Sequence, residues 1–517
     1  MVTIYKLSPE KITTRRVDPW HYQPNFENQI LKVEKVGSTS LRNVIDTDRG
    51  VAGGATPLGA NYLSKGRVRF YRTSEVNNMH LSGSDAVFIS DEDDEKLKRS
   101  RLEAGDVLLT ITGAKFGKSA VVEEEHLPGN ISQHSVRFHP LDGILDPYFL
   151  VSYFESKPGQ IAIWREAYGA TRPAIDFPSI EALVIPHLTF DAQKYIGEKV
   201  RQAERLRSLV KLLDCELNSL VLNDALEEAN RTAIQSFNRV DVEDMFPRLD
   251  PKYYGNRSLS VLHASASSSY SLDSLKKSIN NGFEERDFVD SGIDYITVSE
   301  VSSGRIELST APKISELTDI PDKAYVNERC VLVVRTGSIG TAVKVDVRDK
   351  NAVISSHLIK LEFDTEELAA AVAAFLNSTS GKILQRKISY GAVQPQIGQD
   401  ELLALPIPRF VLDNADSILA LTQAKENAIR CSRWLTQSAK LFVEDLIEGQ
   451  LTESQLVSAQ QALEAGDDSL DRALLERMTA EGIDGEGNPL FDDIDQLYDL
   501  LEQAKQALDA DDTMAEA

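Results

Sequence analysis

Cysteine is scarce in this 517-residue chain: Cys215, Cys330 and Cys431 stand far apart and never as Cys-x-x-Cys. That spacing excludes a disulfide framework and the usual zinc sites, and it fits a reducing, cytoplasmic setting. Long apolar runs are also missing. No stretch of 18 apolar residues occurs, so no membrane span is expected. The opening Met1-Val2-Thr3-Ile4-Tyr5-Lys6 lacks the apolar core of a secretory signal. Catalytic signatures are absent as well. Asn/Asp-Pro-Pro-aromatic, the mark of adenine methylation, does not occur, and Asn488-Pro489-Leu490-Phe491 is a poor imitation. Neither His-Glu-x-x-His nor Gly-x-Ser-x-Gly is present, and the eight histidines form no ligand-spaced cluster.

What remains has globular proportions, 42% apolar and 26% charged, enough for about three or four compact units. The net charge of −24 argues, taken whole, against a nucleic-acid binder. It is unevenly spread. Residues 450–517 hold 18 acidic and 3 basic side chains, net −15, whereas the other 449 residues carry only −9. Local basic faces therefore remain open on the body of the chain.

The two halves repeat each other. Arg16-Val17-Asp18-Pro19-Trp20-His21-Tyr22 matches Arg248-Leu249-Asp250-Pro251-Lys252-Tyr253-Tyr254. Thr73-Ser74-Glu75-Val76 matches Val298-Ser299-Glu300-Val301, and the run from Val107 to Thr112-Gly113 matches that from Val331 to Thr336-Gly337. Ile131-Ser132-Gln133-His134 matches Ile354-Ser355-Ser356-His357. Tyr168-Gly169-Ala170-Thr171-Arg172-Pro173-Ala174-Ile175 matches Tyr390-Gly391-Ala392-Val393-Gln394-Pro395-Gln396-Ile397. Such a collinear series marks a duplicated unit. Each copy opens with short β-branched runs: Val68–Tyr71, Ala86–Ile89, Val107–Ile111 and Ser135–Phe138 in the first, Tyr295–Val298, Cys330–Val334, Ala342–Val345 and Leu358–Leu361 in the second. Helices are expected near Asp146–Phe154 and Glu366–Leu376, then a Pro-marked strand, then a long helix.

In the first long helix Ile196, Val200, Ala203, Leu206, Val210, Leu213, Leu217 and Leu220 step by threes and fours. In the second, Ile418, Leu421, Ala428, Leu435, Ala439, Phe442 and Leu446 follow one such seam, interrupted by Lys425 and Ser432. Two equivalent stripes, each ending a repeat, predict that these helices pair. A helix from Asp191 to Ala233 would span roughly 60 Å. In the acidic tail, three shorter stripes (Leu456, Ala459, Leu463; Leu470, Leu474, Met478; Ile494, Leu497, Leu501, Ala504, Leu508) predict three short helices.

Two near misses are set aside. Gly113-Ala114-Lys115-Phe116-Gly117-Lys118-Ser119 follows a strand like a phosphate loop, but one residue too few separates its glycines. The matching Gly337-Ser338-Ile339-Gly340-Thr341 has no lysine. A turn offering backbone N–H groups with Lys115 and Lys118 to a DNA phosphate is the better reading. Asp484, Glu486, Asn488 and Asp495 imitate a calcium loop, but Pro489 replaces its glycine and an Asp its final Glu.

With the Arg-x-Asp-Pro-x-x-Tyr opening, the Thr-Gly turn, the Tyr-Gly-Ala-x-x-Pro-x-Ile loop and the long helix each present twice, residues 10–447 resemble the specificity (S) subunit of type I restriction-modification enzymes. The resemblance implies an α+β fold: two target-recognition domains (residues 1–188 and 239–410) joined by two long antiparallel coiled-coil helices (189–238 and 411–449). The acidic helical appendage at 450–517 is not a core feature of that family. The resemblance also implies a non-catalytic DNA-recognition subunit of a phage-defence system. Each domain would read one half of a bipartite site on double-stranded DNA. The helices would dock two methyltransferase subunits, which carry S-adenosylmethionine, and a motor-nuclease subunit would complete the restriction form. No cofactor and no metal is expected on this chain.

DNA contacts are expected from the two turns and two loops: Thr112, Lys115, Lys118, Thr171 and Arg172 in the first half, Arg335, Thr336, Ser338, Gln394 and Gln396 in the second. Arg172 has the geometry for guanine O6/N7 and Gln394 for adenine N6/N7. Lys65, Arg67, Arg69, Arg72, Lys382, Arg386 and Lys387 are the candidate basic faces, and His134 and His357 are expected to be structural. Two other readings stay open, a protein scaffold built on the paired helices and an enzyme with an unrecognised nuclease or NTPase site.

Overall fold

A computed structural model describes residues 6, 12, 16–59, 61–83, 86–169, 171–241, 245, 248, 250–391 and 393–515, with side chains as far as residue 510. Met1 to Tyr5, Leu249 of the second Arg-x-Asp-Pro motif, and Ala170 and Ala392 of the two loops lie outside the described residues. The chain divides into two units, Met1–Leu209 with Ala428–Ala517, and Val210–Asn427.

The duplication read from the sequence is a duplication of topology. In the first unit an antiparallel sheet has the order Ala52–Gly53, Ser135–Phe138, Val107–Thr110, Ser119–Val121. In the second, Ser278–Asn281, Leu358–Glu362, Cys330–Val334 and Ala342–Lys344 stand in the same order. Val107–Thr110 and Cys330–Val334 are buried along their whole length, as their β-branched and aliphatic runs require. A second sheet also recurs. Val68–Tyr71 pairs parallel with Gly129–Ile131, and Ile293–Ile296 pairs parallel with Val353–Ile354. Both copies use glycine at one point of close approach. A Cβ on Gly54 would lie 2.2 Å from the carbonyl oxygen of Ile131, and one on Gly282 would lie 2.0 Å from that of Ile354.

Differences from expectation are local. The strand expected to include Val298 ends at Ile296. Thr297 caps the short helix Val298–Val301, and the Glu300 carboxylate accepts the Thr297 amide at 2.8 Å. Two short strands, Ser119–Val121 and Gly129–Ile131, carry too few apolar residues to stand out in the sequence. The first long helix is broken. It runs Phe190–Val221, about 48 Å, and restarts as Asp224–Arg231, because the Asn223 side chain accepts the Leu226 amide at 3.0 Å and caps the new helix.

The second long helix runs Ala415–Glu448. The helices pair in both units. In the first, Tyr195 meets Phe442, with ring centroids 5.6 Å apart, and Arg207 donates to Thr436 at 2.9 Å, so partner numbers fall as residue numbers rise. In the second, Lys425 is 2.5 Å from Asp214, and Val221 shares a core with Ile418. The pairing is antiparallel. Ile196, Val200, Ala203, Leu206, Leu435, Ala439 and Phe442 are fully buried, whereas Val210, Leu213, Leu217, Leu220 and Leu421 are half-buried.

The acidic tail forms helices Glu453–Glu464, Ser469–Glu476 and Ile494–Ala515, with a two-strand turn, Met478–Thr479 and Gly482–Ile483, between the last two. Leu456, Ala459, Leu474, Met478, Leu497 and Ala504 are buried. Leu470 is exposed, and Leu500 takes an inward place that the stripe assigned to Leu501. The tail is fastened to the first long helix at a buried ion pair. Lys199 lies 2.6 Å from Asp471 with neither side chain exposed, and Asp471 also accepts from the Tyr195 hydroxyl at 2.7 Å and the Tyr498 hydroxyl at 2.5 Å. Burial pushes the Asp471 carboxyl up, but Lys199 and the two hydroxyls outweigh it and hold it below the usual range.

Asp471→Ala strands a buried ammonium, and we expect a loss of about 3–5 kcal/mol in the unfolding free energy of the full chain. Lys199→Met combined with Asp471→Leu, read by the same denaturant titration, is expected to recover most of it. Asp445 supplies an opposite pH signature. Burial raises its carboxyl to about 6, while its oxygen accepts the Ile483 amide at 2.8 Å. A raised carboxyl makes the folded state bind the extra proton, so this contribution is greatest below pH ~4 and fades as pH rises to ~6. Melting temperatures of Asp445→Asn should lack that decline.

Candidate nucleic-acid interface

Each Arg-x-Asp-Pro motif turns out to be a clasp. Arg16 lies 2.8 Å from Asp18 and donates to the carbonyls of Glu166 at 2.6 Å and Ala167 at 3.2 Å. Arg248 lies 2.8 Å from Asp250 and donates to Ile388 at 2.6 Å and Ser389 at 3.1 Å. Those carbonyls end the helices Lys157–Glu166 and Thr379–Ile388, where the backbone has no further intrahelical donor. The Tyr of each motif locks the clasp: Tyr22 donates to the Arg16 carbonyl at 2.7 Å, Tyr254 to that of Arg248 at 2.5 Å.

The chain leaving each clasped helix forms the Tyr-Gly-Ala hairpin. Tyr168 and Ala174 exchange amide bonds of 2.9 Å, and Tyr390 and Gln396 do the same at 2.9 and 2.8 Å. Gly169 and Gly391 sit at φ +90° and +96°, where a Cβ would also strike the carbonyls of Arg172 and Gln394. The hairpins are tied to the Thr-Gly turns. Ala174 bridges Thr112, Gln396 bridges Thr336, and the Ile397 amide donates to Arg335 at 2.9 Å. In each unit the turn and the hairpin thus form one platform. At its tip Thr171, Arg172, Val393 and Gln394 are exposed, Val393 almost completely. The Arg172 guanidinium has no hydrogen-bond or ion-pair partner among the described residues, so it is free to bond an incoming group.

The other candidates fall into different classes. Ser338, Lys382, Arg386 and Lys65 are exposed. Gln396 and Arg335 are half-buried, Arg335 reaching the Ser356 carbonyl at 3.5 Å, and Thr112 is likewise half-buried. Thr336 is buried. Arg67 pairs with Asp91 at 2.6 Å, Arg69 donates to the Glu125 carbonyl at 2.5 Å, and Arg72 lies 3.1 Å from Glu75. Their charge is already partly engaged. At the Gly113 turn the amides of Phe116, Gly117 and Lys118 donate to the carbonyls of Gly113, Thr110 and Lys115. Lys115 donates to Asn77 at 2.6 Å, and Lys118 pairs with the buried Glu155 at 2.8 Å.

Lys387 is the clearest departure from a basic face. It is 2% exposed, with its ammonium 3.0 Å from the ring centroid of Tyr253. Burial first, and Arg248 second, lower its pKa to about 8. Sequence reasoning could not separate it from Arg386, because both close the same helix and only the fold decides which face is inward. His134 and His357 serve through their backbone: their carbonyls accept the amides of Ile111 and Arg335 at 2.9 Å. In the tail, Asp484 is held by Arg477, and among the described residues no cluster of His, Cys, Asp or Glu could hold a metal ion. No helix among them is long and apolar enough to cross a membrane.

No family model matches the chain. It is similar to the specificity subunit of the type I restriction enzyme EcoBI of Escherichia coli, 26% identical over 191 residues, 37% of this chain and 39% of that protein. The match thus spans well under half of that relative's length. Two solved structures align loosely. The type I restriction-modification S subunit of M. genitalium has 14% identity and a TM-score of 0.44, over 79% of this chain and 95% of that one. The HsdS subunit of Thermoanaerobacter tengcongensis has 13% identity and a TM-score of 0.27, over 80% and 97%. The sequence similarity falls on the family that the duplicated motifs resemble.

If Arg172 reads a base edge, Arg172→Ala should weaken DNA binding by about 1–3 kcal/mol and relax the methylated motif at one position. An unchanged melting temperature alongside that relaxation is the expected pair of results, since the side chain is exposed and has no partner among the described residues.

Proposed function

We propose that this chain is the DNA-recognition subunit of a type I restriction-modification complex, each unit reading one half of a bipartite site. The observation that carries the reading is the platform pair: the same clasp, turn and hairpin occur twice, with different side chains at the exposed tips. Recognition of duplex DNA needs shape, phosphate contacts and base-edge contacts, and no catalytic group. A duplicated platform with Thr171-Arg172 on one copy and Val393-Gln394 on the other would present two different half-site readers. Phosphate contacts would come from the exposed Lys65, Lys382 and Arg386, with Ser338 as a neutral donor.

The net charge of −9 on the body keeps the intrinsic attraction to DNA modest, so much of the affinity would come from partner subunits. We assign the outer faces of the antiparallel helices to two methyltransferase subunits, which would bring S-adenosylmethionine, and a motor-nuclease subunit to the restriction form. Reaction chemistry would then lie outside this chain. With labelled S-adenosylmethionine and cognate DNA, the purified chain should incorporate no label above a protein-free control, and addition of the methyltransferase subunit should restore incorporation. Turnover by the chain alone would contradict the assignment.

A further inference from the structure

Beside the hairpin of the first unit lies a cavity of about 770 Å³, lined among others by Trp20, Trp164, Tyr168, Asp176 and the paired Arg16 and Asp18. The three aromatic rings are 44%, 37% and 52% exposed. Exposed apolar patches mark interaction sites, and tryptophan is enriched among the residues that carry binding energy there. These rings are held in place. The Trp20 indole N–H donates to the Trp164 carbonyl at 2.8 Å, Trp20 stands edge-on to Phe26 at 5.3 Å, and Trp164 edge-on to Phe116 at 4.9 Å. Such fixed faces lose little freedom when a ligand arrives.

The duplicate provides an internal control. The register that pairs Arg16 with Arg248 and Tyr168 with Tyr390 sets Lys252 at the place of Trp20, Arg386 at that of Trp164, and Gly398 at that of Asp176. One scaffold thus carries two cations in the second unit, and two indoles with an added carboxylate in the first. Lys252 and Arg386 suit a phosphate. Asp176 would repel one, whereas Asp18 and its counterpart Asp250 are each paired with the clasp arginine. Asp176 is exposed, and its carboxylate also accepts the Ser179 amide at 2.9 Å.

We infer that the first-unit cavity is a docking site for an arginine- or lysine-bearing segment of a partner protein. The cation lies against the indole and phenol faces, with Asp176 supplying opposite charge at the rim, since Asp18 is already paired with Arg16 at 2.8 Å. The volume admits several residues, so the segment enters as a short peptide and not as one side chain. This inference stands apart from what the hairpin reads, since it uses none of the exposed tip residues.

The test follows the indole N–H resonances of the full chain, which has three tryptophans. Trp434, stacked edge-on with Phe491 at 5.6 Å, serves as the internal reference. Capped Gly-Arg-Gly should shift two indole signals saturably, and capped Gly-Glu-Gly should not. Trp164→Arg, which installs the residue of the second unit, should weaken the peptide by about tenfold. Asp176→Asn keeps the rings and should weaken it by a smaller factor. The inference is overturned if neither Gly-Arg-Gly nor Gly-Lys-Gly gives a saturable shift, or if Gly-Glu-Gly binds equally well. Tighter binding of adenosine monophosphate than of the arginine peptide would also overturn it and would mark a nucleotide pocket instead. Loss of methylation-motif specificity bears only on the hairpin, so the two readings fail separately.

Discussion

The ends of two helices are where this structure is most constrained. A helix leaves its last carbonyls without internal donors, and here a guanidinium from far earlier in the chain supplies them in both units. Arg16 and Arg248 are in turn fixed by Asp18 and Asp250, and their backbones by the hydroxyls of Tyr22 and Tyr254. The hairpin and turn that follow each clasped helix start from this closure. The hairpin leaves the helix at a defined angle, a glycine with positive φ turns it, and its return strand bonds the Thr-Gly turn. The exposed tip can then vary freely, because nothing in the core rests on it. Such a separation of a fixed frame from a variable edge is the usual arrangement of binding loops on a rigid scaffold.

Much of this was legible in the sequence, and for a physical reason. Groups that must make the same backbone bonds in both copies kept their identity: Arg and Asp of the clasp, Gly of the hairpin, Glu75 and Glu300 as buried caps. The heptad stripes likewise disclosed the paired helices, since their apolar seams repeat in register. What was not legible depends on distance in space. The Asn223 cap that breaks the first long helix competes with a strong stripe and wins locally. Lys387 read as one more surface cation, yet it points into the Tyr253 ring. Lys115 and Lys118 read as phosphate ligands, yet Asn77, Asn78 and Glu155 hold them. The clasp itself was visible as a repeated motif, but its role was not, because its carbonyl partners lie about 150 residues downstream.

Duplication also exposes where the copies diverged. The frame is shared, but the first unit gained two indoles where the second holds cations, and only the first carries the acidic tail. The tail's excess charge is mostly on its surface. Its attachment relies on two buried carboxylates, Asp471, matched by Lys199 and two tyrosine hydroxyls, and Asp445, which accepts the Ile483 amide. Its polar grip fixes how the three short helices sit on the long one, while the apolar stripes supply the burial. These additions have no counterpart in the duplicated plan.

The central claim is that the two units read their half-sites independently. It is tested most directly by exchanging residues 15–188 for the corresponding domain of another such subunit. The chimera is expressed with its methyltransferase partner, and the methylated motif of the host DNA is read by sequencing. The account predicts that one half of the bipartite motif changes and the other stays as it was. A change in both halves, or in neither, from a folded and active chimera would contradict it.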